Sequence, residues 1–299
     1  MSKKIPETYQ KTSRAYTTFN IIKRELLRDK LALVSFIFIA TLIIFVIIAS
    51  LGIDPIDLLL GNFDMMNQPP SIYHFLGTDD RGRDGLMLLI IATRNSLITA
   101  MLATFISSTI GVIYGLISGY VGGRIDNLMM RITEGISMLP SIILLIAFVA
   151  VVGELTIFTF TVLISLLSWT GVAKVVRATL MKEKELEYIQ ASKTVGTPHL
   201  KIILQQILPN LSTVIVAGMT LNIVGIMGVE TGLSFIGFGF PIYTPSLGTL
   251  IATARFIHVL TNRWWIWIPA TLLIVFITFS INNIGNMLNR ATDARQRRG

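Results

Sequence analysis

The sequence contains no cysteine, which excludes a disulfide framework, a thiolate nucleophile and any cysteine-ligated metal. Charge is scarce: Asp, Glu, Lys and Arg make up 14% of the 299 residues, against about 25% in an ordinary soluble domain. Only His74, His199 and His258 are histidines. A metal set would have to combine His74 and His258 with Asp79 or Asp80, and no resident metal is expected. No G-x-x-x-x-G-K-[ST] phosphate loop occurs, so ATP binding by that route is not expected. No Ser–His or paired-Asp arrangement is legible in the apolar stretches, as a membrane protease would need. The chain is expected to carry no catalytic residue.

What is abundant is apolar sequence. Hydrophobic residues account for 53% of the chain, and the mean hydropathy is +0.69. Leu31 to Ile53 is a nearly continuous apolar run, long enough to cross a hydrocarbon core of about 30 Å. The expected fold is an all-α integral membrane protein with six transmembrane helices at 31–53, 93–120, 132–152, 156–178, 211–237 and 264–289. Pro140 is expected to kink the third or end a helical turn there. The polar residues before the first run are too many for a signal-peptide n-region, so this span is expected to stay in the mature protein.

Charge sets the topology. All but five of the 25 Lys and Arg fall in 1–30, 121–131, 174–201 and 290–298; the exceptions are Arg81, Arg83, Arg94, Arg255 and Arg263. An even number of spans puts both termini on one side, and the positive-inside rule makes that side cytoplasmic. The formal charge of +8 is thus topology, and nucleic acid is not an expected partner. The chain divides into a cytoplasmic segment 1–30, the first span 31–53, an extracytoplasmic segment 54–92, a five-helix core 93–289 and a cytoplasmic tail 290–299. In the first segment Lys3, Lys4, Lys11 and Arg14 precede Phe19, Ile22, Leu26 and Leu27. These four apolar residues suit one face of an interfacial helix; a basic solvated tail is the plainer alternative.

The longest polar stretch between apolar segments of the second half is Lys182 to Pro209. Its first part is rich in helix formers. Gly196 is expected to end that helix in a left-handed conformation, and Thr197 and Pro198 to start a second one. There Leu200, Ile203, Leu204, Ile207 and Leu208 suggest one apolar stripe, closed by Pro209. This stretch resembles the coupling loop of ABC-importer permeases, whose pattern is E-A-A, three residues, Gly, nine residues, I-x-L-P. Ala191, Gly196, Leu208 and Pro209 match, while Gln190, Ser192 and Gln206 replace the Glu, the second Ala and the Ile.

A second stretch, His74 to Leu86, resembles H-x-L-G-T-D-x-x-G-R-D-V/L of the dipeptide, oligopeptide and nickel branch of that family, in its second, C-type subunit. Leu76, Gly77, Thr78, Asp79, Gly82, Arg83 and Asp84 match, Gly85 departs, and R-x-S-L follows as Arg94, Ser96 and Leu97. Asp79, Arg83 and Asp84 are expected to pair and hold a loop against the helices; contact with cargo or a binding protein is the alternative. Gly122, Gly123, Asp126, Arg131 and Pro140 fit the family's G-G-x-x-D segment, and Glu230, Leu233, Ser234, Phe235, Gly237 and Gly239 its E-A/T-x-L-S-F-L-G-x-G segment. Glu230 is the only acid deep in apolar sequence. Such a group faces a cavity or partner, or is satisfied by a buried Ser, Asn or backbone group. Ala103, Ser107, Gly111, Gly115 and Gly119, at four-residue spacing, form a helix–helix seam within the subunit or against another. Trp264, Trp265 and Trp267 suit an outer interfacial belt.

The resemblance implies a type I (MetI-like) importer fold and a permease subunit for oligopeptides or dipeptides. It implies as partners a homologous permease in a heterodimer, two cytoplasmic ATP-binding subunits and an extracytoplasmic solute-binding protein, in a cell membrane. ATP and Mg would be held by the ATPases, and no cofactor by this chain. The 12 Met are scattered and read as packing filler, so peptide is favoured over nickel or another small solute. A channel or secondary transporter without ATPases would show a repeated polar lining or an inverted repeat, and neither is legible. A scaffold that transports nothing is the third alternative.

Overall fold

The computed structural model describes residues 18–54, 60–153 and 156–296, with side chains described over 23–54, 60–153 and 156–291. Asp57, the basic residues before position 18, the side chains of Phe19 and Ile22, and Arg295, Arg297 and Arg298 lie outside the described residues or side chains. A short helix α1 (Thr18–Arg28) leads into α2 (Lys30–Leu51). Asp29 separates them, and its carboxylate accepts the backbone N–H groups of Leu31 and Ala32, both at 3.1 Å. That cap starts an apolar helix of 22 residues. Leu26 of α1 packs with Ala32, Ala217, Met287 and Leu288.

The next helix, α3 (Gly85–Val121), starts eight residues earlier than the expected span 93–120. Its N-cap is Asp84, whose carboxylate accepts N–H groups from Leu86 and Met87; the turn-forming composition around Gly85 hid this start. The third expected span is two helices, α4 (Gly123–Met138) and α5 (Ser141–Val152), bent by 70°. Leu139, with φ −75° and ψ 128°, takes the extended conformation that a following proline imposes. Pro140 therefore breaks the span.

A capping box of Thr156 and Thr159 starts α6 (Ile157–Glu183), which is followed by α7 (Glu187–Thr194) and α8 (His199–Ile202). A π turn over Ile203–Ile207 carries α8 straight into α9 (Leu208–Ile236). Two short helices, α10 (Leu247–Ala252) and α11 (Ile257–Asn262), precede α12 (Trp264–Gln296). Among the described residues, α2, α3, α6, the continuous α8–α9 run and α12 are long and apolar enough to cross a membrane, and the bent α4–α5 pair is the sixth candidate.

The main core joins α3, α6, α9 and α12 through Leu88, Leu97, Phe160, Ile164, Met227, Leu233 and Ile277. The seam lies within the subunit. A Cβ on Gly111 would sit 2.7 Å from the Trp169 carbonyl oxygen, and one on Gly115 2.6 Å from that of Ala173. Nearer the middle of α3, Ser165 Oγ donates to the Ala103 carbonyl at 3.2 Å, and Asn222 Nδ2 to Ser107 Oγ at 2.9 Å. The first turn of α2, the last turns of α12 and the loop after α6 gather at one end of the bundle, here called the loop end.

Candidate functional site

At the loop end the sequence folds into a bent knob. α7 ends at Thr194, and Gly196 adopts φ +81° with nothing within 4 Å of the Cβ it lacks. This left-handed residue turns the chain, as its type predicts. Thr197 is not the cap of the next helix. Pro198 occupies that position without a side-chain bond, and the Thr197 N–H donates to Ser192 C=O at 3.0 Å.

The expected stripe is also displaced. Leu200 and Leu204 are exposed, while Ile202 and Ile207 are fully buried beside Ile189, Leu211, Val176 and Leu180. The cause is the π turn: the Leu208 N–H reaches back five residues to Ile203 C=O, so residues spaced by five share a face there. Pro209 does not close a helix either. It lacks the N–H that Gln205 C=O would receive, and its ring would strike that carbonyl in a regular helix. Widening by one residue accommodates the proline and lets α9 continue.

Three further contacts seat the knob. The Tyr120 hydroxyl, on the last turn of α3, lies 2.6 Å from His199 Nδ1. Asn210 Nδ2 donates to the Tyr188 hydroxyl at 2.7 Å and to Glu183 Oε2 at 3.3 Å. Gln190, which stands where the family pattern has Glu, donates from Nε2 to Lys184 C=O at 2.8 Å. Ala191 is exposed and Ser192 half-buried, and the Ser192 hydroxyl donates to Tyr188 C=O at 3.0 Å. Val195, 85% exposed, and Leu200, 66% exposed, crown the knob. The knob thus has an apolar tip on a firmly packed base.

The opposite end is held by buried polar contacts. Asp79 Oδ1 accepts the N–H groups of Arg81 and Arg83 at 2.9 and 2.8 Å, and Oδ2 meets Arg83 Nε at 2.7 Å and Nη2 at 2.6 Å. Arg83 Nη1 also donates to Ile242 C=O at 3.4 Å. Asp84 does not join this pair. It caps α3, and its Oδ2 lies 2.7 Å from His74 Nδ1. Of the four candidate metal ligands, His74 and Asp79 thus have other partners, and among the described residues no group of three or more His, Asp and Glu could hold a metal. Thr78 Oγ1 accepts the Gln68 N–H at 2.8 Å and donates to Met65 C=O. Trp265, expected in a belt, directs its indole N–H to Thr78 C=O at 3.4 Å.

Three glycines of this segment stand where no side chain fits. A Cβ would come within 2.5 Å of Gln68 O at Gly77, 1.7 Å of Asn62 O at Gly82 and 2.2 Å of Leu76 O at Gly85. The last explains the departure from an aliphatic residue. Glu230, 3% exposed, accepts from Ser246 Oγ at 2.6 Å and Ser234 Oγ at 2.9 Å on Oε1. Its Oε2 has no hydrogen-bond partner among the described residues. Ser246 also caps α10, while Ser96 Oγ accepts the Leu247 N–H and Asn95 Nδ2 donates to Pro245 C=O. Glu230 therefore ties α9, and Asn95 and Ser96 tie α3, to the α10 segment.

Residues 111–298 match the family described as binding-protein-dependent transport system inner membrane component. The chain belongs to that family. It is 41% identical over 290 residues to the oligopeptide transport system permease protein OppC of Lactococcus lactis subsp. cremoris, covering 97% of this chain and 99% of that one. It is 36% identical over 277 residues to OppC of Haemophilus influenzae, covering 92% and 88%. The dipeptide transport system permease protein DppC of Bacillus subtilis is 33% identical over 276 residues, covering 92% and 85%. A chain of the MetNI methionine ABC transporter, in an inward-facing conformation, superposes with TM-score 0.57 at 19% identity, covering 69% of this chain and 96% of that one. The fold is therefore the type I importer fold, in a multi-pass membrane protein.

Reading the permease's sequence missed one strong contact. Arg177 Nε and Nη2 reach both oxygens of Asp126 at 2.5 Å, and Ser118 Oγ adds a third bond at 2.5 Å. This fork pins the start of α4 to α6 and α3. Asp126 was legible from its motif, but a partner 51 positions away leaves no local spacing signal. The same holds for Tyr120 and His199, 79 positions apart.

Proposed function

We propose that this chain forms half of the translocation pathway of an ATP-driven importer for oligopeptides or dipeptides, paired with a homologous permease. Two cytoplasmic ATPases, which hold ATP and Mg, would receive the knob of residues 182–209 in a groove, and an extracytoplasmic solute-binding protein would deliver the peptide. This chain itself is neither an enzyme nor a cofactor or nucleic-acid binder. It lies in the cell membrane with both termini cytoplasmic, at the knob's side. The observation that carries the reading is the knob's construction: Ile189, Ile202 and Ile207 are fully buried, while Val195 and Leu200 are bare. Likeness to oligopeptide and dipeptide permeases over most of the chain supports the cargo class.

Closure of the ATPases would push the knob, and α6 and α9, which enter and leave it, would tilt. The cavity between the two permeases would then open outward. Peptide-stimulated ATP hydrolysis by the purified assembly tests this. Gly196→Val forces a β-branched residue into φ +81°, at a cost of order 1–2 kcal/mol, and reshapes the tip. Expected is loss of stimulated hydrolysis with the two permeases still associated. Unchanged uptake and unchanged hydrolysis would remove the knob from the mechanism.

A further inference from the structure

At the loop end, where α1, α2 and α12 meet, an open cleft of about 350 Å³ is lined by Glu25, Arg28, Asp29, Lys30, Leu31 and Arg290. Its charge is unbalanced. Arg290 pairs with Asp29. Lys23, Arg24, Arg28 and Lys30 are exposed, and none forms an ion pair among the described residues. Of these, Arg28 and Lys30 line the cleft, whose remaining carboxylate is Glu25.

Directly next to these cations is an apolar track. Leu31 is exposed at the cleft, and Val34, Ile37, Ile44 and Ile48 continue along α2. These residues recur at helical spacing, so they share one strip of α2. The helix's other side packs on α12 and α3, with Ala32, Ser35 and Val46 buried. A cationic cleft at a helix start, continuous with an uncovered apolar strip running into the bilayer, has the polarity of one molecule: a phosphate head with acyl chains. Basic pockets between transmembrane helices at the cytoplasmic surface are where acidic lipid head groups bind.

We infer that the α1–α2–α12 cleft is a site for an anionic phospholipid, with Arg28 and Lys30 on the phosphate and Leu31 and Val34 against the acyl chains. The bound lipid would fasten α1 to the membrane surface and so fix the inner ends of α2 and α12. This site is independent of the knob and of the cargo.

The test is native mass spectrometry of the assembled importer purified from bilayers containing equal phosphatidylglycerol and phosphatidylcholine. The wild-type assembly should retain phosphatidylglycerol preferentially. R28Q/K30Q should weaken that retention roughly fivefold per charge removed, about 25-fold for both. R28K/K30R should restore it. Both residues are exposed, so the unfolding temperature of R28Q/K30Q should match the wild type. L31S/V34S should also weaken retention with both charges in place. Equal retention by wild type and R28Q/K30Q would overturn the assignment. Displacement of the lipid by millimolar inorganic phosphate would show a bare phosphate site and overturn the lipid source.

Discussion

Asp79 and Arg83 are 5% and 7% exposed, and each satisfies the other through two short contacts. A buried pair of this kind adds little net stability, yet losing one partner leaves a charge without solvent or counter-ion, at about 3–5 kcal/mol. Arg83→Ala is therefore expected to lower the thermal unfolding midpoint in detergent sharply, while D79N/R83Q recovers part of the loss. If both variants melt alike, the pair is not what holds this segment. The motif makes Asp79–Arg83 legible in the sequence, whereas Asp84, expected in the same cluster, is instead a helix cap. Acidic residues in a run look alike in sequence; backbone direction decides which one faces a helix N-terminus.

At the scale of elements, the knob has a buried base and a bare tip. Ile189 lies under α7 with no exposure, and Val195 stands at the tip. Ile189→Ala removes buried methyl groups and should destabilise the knob by about 2–5 kcal/mol, read as faster proteolysis within 182–209. Val195→Asp should leave proteolysis unchanged and abolish co-purification of the ATPases. The reverse pattern would exchange the two roles. Gly196 and the two-helix shape were readable because a glycine after a run of helix formers has one dominant meaning. The stripe of the second helix was not, because a period of 3.6 residues per turn does not hold across the wider π turn. Pro209 was the available clue: a proline that does not end a helix requires the preceding turn to deform.

For the whole molecule, the lack of cysteine becomes a tool. Single cysteines introduced at Ser71 and at Val195 report which end of the bundle faces which compartment. On intact cells a membrane-impermeant maleimide should label S71C and spare V195C; inverted membranes should give the opposite result. Labelling of V195C from outside would reverse the topology and end the coupling reading. Apolar length makes the candidate crossings legible in the sequence, and the broken third one needs the structure to show how far Pro140 bends it. The spacing of Gly111, Gly115 and Gly119 marks a contact surface without naming its partner, which in the structure is α6. That closeness has a mechanical consequence. With backbones meeting where side chains would otherwise slide, α3 and α6 behave as a twin beam, 37 residues long on the α3 side, or roughly 55 Å at 1.5 Å per residue. A beam of that stiffness does not absorb a thrust at its base. It passes the thrust on as rotation, and the compliance of the molecule is left to the Pro140 elbow and the widened turn before Pro209.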